Sequence, residues 1–160
     1  MTVLRFATHL WFDHEAVEAA EFYADLVPDS HVDRVVAAPP GVPGAAPGAP
    51  FFVDLTLNGQ QYTFLNGGPL FPFDSQVSLL LLVDTQAEVD RYWSALVADG
   101  GKEVQCGWLT DRFGLSWQVV PEALERLMAD EDPAVRERVA KEMLGQVKFD
   151  VAALERAARG

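Results

Sequence analysis

A stretch near the start of the chain returns seventy residues later, and this repeat constrains the fold more than any other feature. Phe22-Tyr23-Ala24-Asp25-Leu26-Val27-Pro28-Asp29 matches Tyr92-Trp93-Ser94-Ala95-Leu96-Val97-Ala98-Asp99 in its aromatic pair, its Leu-Val and its closing Asp. Phe12-Asp13 precedes Val83-Asp84 by seventy-one. A repeat at such an interval points to two copies of one supersecondary unit.

The pattern around each copy supports this. Val3–Phe12 alternates, with Leu4, Phe6, Leu10 and Phe12 on one face and His9 and Trp11 on the other. Asp13 is placed to cap a helix running to about Val27, and His31–Ala37 reads as a strand. Residues 38–50 are rich in Pro and Gly, which bars ladder and helix and predicts a mobile loop. Phe51–Leu57 and Gln60–Asn66 form a hairpin across Asn58-Gly59. In the second copy Gln76–Val83 is the first strand. Thr85-Gln86-Ala87-Glu88 is a capping box for a helix ending at Gly100-Gly101. Lys102–Leu109 and Leu115–Val120 read as strands, with a turn at Asp111–Gly114. Helices follow Pro121, capped by Asp132-Pro133 and by Asp150.

The expected fold class is therefore α+β. Two tandem βαβββ modules, about 3–67 and 76–121, make a cup-shaped mixed sheet with helices outside, followed by a helical extension over 122–160. All of this is expected within a single domain spanning 1–160. Two such half-cups joined edge to edge would enclose a cleft for a ligand.

Charge narrows the class of partner. The formal net charge is −12, and before residue 101 the only basic residues are Arg5, Arg34 and Arg91. Such a surface repels phosphate backbones and anionic membranes, so neither nucleic acid nor membrane is an expected partner. The single cysteine, Cys106, excludes an internal disulfide, and the N-terminal residues lack a basic-then-apolar signal layout. A cytoplasmic location is expected.

The segments LWFDHEAVEAAEFYADLVPDS, LTLNGQQYTFLNGGP, QCGWLTDRFGLSWQVVP and MLGQVKFDVAALERA resemble the PhnB-like branch of the vicinal-oxygen-chelate superfamily. That superfamily includes glyoxalase I, extradiol dioxygenases and bleomycin-resistance proteins. The resemblance implies paired βαβββ modules and often a homodimer. Its catalytic branches imply a divalent metal (Zn, Mn, Fe, Ni or Mg) held by the first and last strand of each module. A glutamate on the final strand is the most telling ligand, and here that position is Gln118. Members often carry a 3-demethylubiquinone-9 3-methyltransferase label. None of the glycines here opens a helix after a strand, as a sulfonium-donor site often requires, so methyl transfer is not expected.

Within that frame the metal candidates are His9, Gln76 and Gln118, with Ser78 as a substitute for Gln76. An amide carbonyl donates electrons but cancels no charge, so this is a weak set for a hard cation. The same groups suit a ligand pocket: His9, Trp11, Gln76, Ser78 and Gln118, with Trp108 and Cys106 nearby. Asp54 joins them if its strand face turns inward. The expectation is a metal-free protein, with no cofactor, that binds a small molecule in the cleft. The alternative is a metal-dependent lyase, isomerase or oxygenase acting on a small oxygenated substrate.

Overall fold

The structure, a computed structural model, describes residues 6–43 and 45–160. The chain divides into two compact units, with the boundary between Phe73 and Asp74. Among the described residues no helix is long and apolar enough to cross a membrane.

The first unit runs β1 (Thr8–Phe12), α1 (Ala16–Leu26), β2 (His31–Ala37), β3 (Pro50–Leu57) and β4 (Gln60–Asn66). Its sheet has the order β1-β4-β3-β2, with β1 parallel to β4 and the other pairs antiparallel. Residues 3–5 of the expected first strand lie outside the described residues. Alternation places Leu10, Phe12, Val53, Leu55, Leu57 and Phe64 on one face, all buried. Helix α1 packs against this sheet. It buries Ala16, Ala19 and Ala20, whose small side chains allow close approach, together with Tyr23 and Leu26. Asn58 and Gly59 both take positive φ, at 44° and 76°, as a tight hairpin turn requires.

The second unit repeats the plan. Its elements are β5 (Ser78–Val83), α2 (Gln86–Val97), β6 (Lys102–Glu103), β7 (Trp108–Thr110) and β8 (Ser116–Pro121), with a 3-10 turn after α2. The sheet order is β5-β8-β7-β6, with β5 parallel to β8. The duplication extends to backbone detail. Asp29 and Asp99, seventy positions apart, leave their helices in the same left-handed conformation, with φ of 53° and 57°. The capping box forms as the pattern predicts: Glu88 N–H donates to Thr85, and the Glu88 side chain accepts from the Thr85 N–H.

Two expectations are corrected. Asp13 does not cap α1. The Ala16 N–H donates instead to Asn66 Oδ1 at 2.8 Å, a partner fifty residues away on β4. Lys102–Leu109 is not one strand, because Cys106 and Gly107 adopt φ of 59° and 77° and fold it into a β6–β7 hairpin. The proline-rich segment is tied at its root, where Ala38 N–H donates to Ala49 O and Ala38 O accepts from Gly48 N–H.

Three helices close the chain: α3 (Glu122–Met128), α4 (Pro133–Gly145) and α5 (Val151–Arg159). Asp132 and Asp150 cap the latter two, as expected. Leu124, Leu127, Val139, Phe149 and Leu154 form their core, with Cys106 and Val120 packed against it. The link to the sheet is made through the backbone: Cys106 and Gly107 donate N–H bonds to Gln146 O and Val147 O, both at 2.8 Å. Gln86 of α2 adds a side-chain clamp, donating to Phe149 O at 3.0 Å and accepting from Val151 N–H at 2.8 Å.

Candidate functional site

Directly paired residues on neighbouring strands share a face. The register of the first sheet therefore aligns His9 with Thr63, Thr63 with Asp54, and Asp54 with Arg34. One polar row crosses all four strands on the face turned away from α1. The next row is Trp11, Leu65, Phe52 and Val36, an apolar shelf beside it. The His9 ring meets Phe52 edge-on at 6.2 Å.

Asp54 organises the polar row. Arg34 Nε donates to its Oδ2 at 2.6 Å, and Thr63 Oγ1 donates to its Oδ1 at 2.7 Å. Partial burial pushes the Asp54 carboxyl up. The bonds from Thr63 and Arg34, with the guanidinium charge, outweigh this and hold it below the usual carboxylate range. Asp33 lies on the same strand as Arg34, with Thr56 Oγ1 at 3.0 Å and His31 Nε2 at 3.1 Å. Asp33, Arg34, Asp54, Gln61, Tyr62 and Thr63 line an open hollow of about 490 Å³. Burial raises the Tyr62 hydroxyl above its ordinary value.

Trp11 is held from behind. Its indole N–H donates to Gly68 O at 2.8 Å, and its ring meets Phe71 edge-on at 5.0 Å. A β-carbon on Gly67 would come within 2.3 Å of the indole, so the Gly-Gly pair is the seat for this ring.

In the second unit, register pairs Leu80 with Gln118 and Gln118 with Trp108. Gln118 Nε2 donates to Ser78 Oγ at 2.9 Å. Gln76 precedes β5 and is exposed. Cys106 sits at the hairpin turn, with its thiol 3.6 Å from Met143 O. The structure thus groups His9, Trp11 and Asp54 on one face of the first unit, and Ser78, Trp108 and Gln118 on one face of the second. Gln76 and Cys106 stand apart from both sets.

Two residues escaped the sequence pattern. Arg34 belongs to the polar row, which only strand register reveals. Asp111 is buried at 3% exposure and accepts from Phe113 N–H, Leu115 N–H and the Trp117 indole, which fixes the β7–β8 turn.

The two sheets can be superimposed by register. Phe12 pairs with Asn66 as Val83 pairs with Pro121, so His9 and Thr63 correspond to Leu80 and Gln118. The first and last strands of the modules therefore offer an imidazole, a hydroxyl, an aliphatic chain and an amide at equivalent positions. Neither unit offers a carboxylate at these positions, and neither His9 with Thr63 nor Leu80 with Gln118 fits a hard divalent ion. Among the described residues no three His, Cys, Asp or Glu side chains converge as metal ligands.

No curated protein matches the chain. The PhnB protein from Bacillus cereus is 28% identical with a TM-score of 0.65, over 74% of this chain and 99% of that one. Protein PA1353 from Pseudomonas aeruginosa shares the fold at 22% identity and a TM-score of 0.60, over 74% of this chain and 98% of that one. A glyoxylase/bleomycin resistance protein/dioxygenase domain from Frankia sp. EAN1pec matches at 12% identity and a TM-score of 0.45, over 75% and 93%. A family model described as 3-demethylubiquinone-9 3-methyltransferase matches residues 4–120. That match covers most of the chain, and the chain belongs to this family.

Proposed function

We propose that this protein binds a small organic molecule on the open face of its first sheet, without a catalytic metal. The observation that carries this reading is the row His9–Thr63–Asp54–Arg34 beside the shelf of Trp11 and Phe52. Fixed polar groups next to an aromatic surface are what orient and hold a small ligand, and Thr63, Asp54 and Arg34 of the row line the open hollow. The lack of a carboxylate at the first-strand and last-strand positions of either unit supports the metal-free part. Methyl transfer is left out of the reading, because the β1–α1 and β5–α2 turns contain no glycine to admit a sulfonium donor.

The test is a thermal-shift screen of small aromatic and aliphatic compounds in buffer containing EDTA, with wild type and His9→Ala compared. Compounds that raise Tm in EDTA, and do so less for His9→Ala, are the expected result. Overturning the reading would take a tightly held stoichiometric divalent ion without which no compound has any effect.

A further inference from the structure

The hydrogen-bonding inventory of the polar row identifies which of its groups remain unused. Both Asp54 oxygens already accept, one from Arg34 Nε and one from Thr63. Both Asp33 oxygens are likewise engaged, by His31 and Thr56. Among the described residues, the terminal nitrogens of Arg34 have no partner, and the His9 ring makes no hydrogen bond. The groups left over are therefore mainly donors, and the strongest is a guanidinium with its Nε already pinned.

We propose that the ligand of this face carries a carboxylate or an equivalent oxyanion, received by the two terminal nitrogens of Arg34, with its apolar body on Phe52 of the neighbouring strand. This rests on the reading of the face as a small-molecule site. A guanidinium fork matches two oxygens of a planar anion, which a lysine ammonium cannot do. Asp54 fixes the fork's orientation, which lowers the ordering cost of binding. The net charge of −12 does not forbid an anion here. At physiological salt, exposed charges beyond about 8 Å are largely screened, so the immediate neighbours decide. Those neighbours are Asp54, whose charge Arg34 offsets, and Asp33, whose charge opposes the anion, so the two-point geometry of the fork has to carry the binding. The Arg34 side chain is 70% exposed, so binding is expected to be weak and readily reversible.

The experiment compares three probes of similar size and different charge, benzoate, benzamide and benzylamine, by two-dimensional amide NMR titration of the full chain. Benzoate should shift amides of residues 34, 52 and 54 saturably and bind tightest of the three. Arg34→Gln should weaken benzoate at least tenfold, and Arg34→Lys should restore only part of that loss. Equal or tighter binding of benzamide or benzylamine at the same residues would overturn the oxyanion inference and leave the site standing. Benzoate binding that ignores Arg34→Gln, or that maps elsewhere, would also overturn it. Silence from all three probes at these residues would count against both the inference and the site.

Discussion

The Phe149 ring lies so close over Gly107 that a β-carbon on the glycine would come within 2.3 Å of Phe149 Cε2 and 2.9 Å of Val119 O. Gly107 also has φ of +77°, which an L side chain rarely adopts. Left-handed strain and overpacking together should make Gly107→Ala cost about 2–4 kcal/mol. Urea midpoints would measure it. In a Phe149→Ala background the same substitution should cost less, since one of its two steric opponents has gone; equal costs would show that backbone strain and the Val119 contact carry the whole effect.

Asn66 carries a second prediction. Its side chain accepts from Ala16 N–H at 2.8 Å and donates to Pro50 O at 3.1 Å, joining α1 to β4 and β3. Asn66→Ala should cost about 1–2 kcal/mol, the scale of a lost helix cap. Asp13→Ala should change stability by less than about 0.5 kcal/mol, as befits an exposed residue outside the cap. Reversal of that order in denaturant titrations would restore Asp13 as the cap.

The two kinds of cap show what a sequence can disclose. Thr85–Glu88, Asp132–Ala134 and Asp150–Ala153 satisfy helix ends within a few residues, so local spacing reveals them. Asn66 reaches Ala16 across fifty residues, and only strand pairing brings it there. The polar row follows the same logic. Alternation places His9 with Trp11, and Asp54 opposite Val53 and Leu55. Setting Arg34 beside Asp54 requires the β2–β3 register, which passes an irregularity between Val32 and Arg34. The hairpin at Cys106-Gly107 stayed hidden because a cysteine at φ of 59° carries no turn signal of its own.

Asp54 should leave a mark on the acid side of the stability curve. Its folded-state carboxyl lies below the ordinary value of 3.8, burial being outweighed by Thr63 and Arg34. A group depressed in this way stabilises the fold fully above its unfolded value. That contribution disappears as pH falls through the lower folded value. Asp54→Asn should therefore cost about 1 kcal/mol near neutrality, discounted for the exposed guanidinium. It should also flatten the loss of stability below pH 3.8. Urea titrations at a series of pH values would show both effects, and an unchanged acid limb would remove Asp54 from the set of linked groups.

The C-terminal helices lie beyond the family match at residues 4–120, yet they bond to the hairpin turn that holds the chain's one thiol. Leu154 is fully buried in their core, and Cys106 packs against that core while its thiol faces Met143 O. Leu154→Ala should remove about 2–5 kcal/mol of packing. If the helices open as a local unit, the loss appears in the opening equilibrium, where each 1.4 kcal/mol is about tenfold in population. The Cys106 thiol should then react with a disulfide reagent at least about tenfold faster than in wild type. With a single cysteine the readout is unambiguous. A rate unchanged by Leu154→Ala, alongside a lowered urea midpoint, would mean that the half-buried thiol reacts without any opening of the helices.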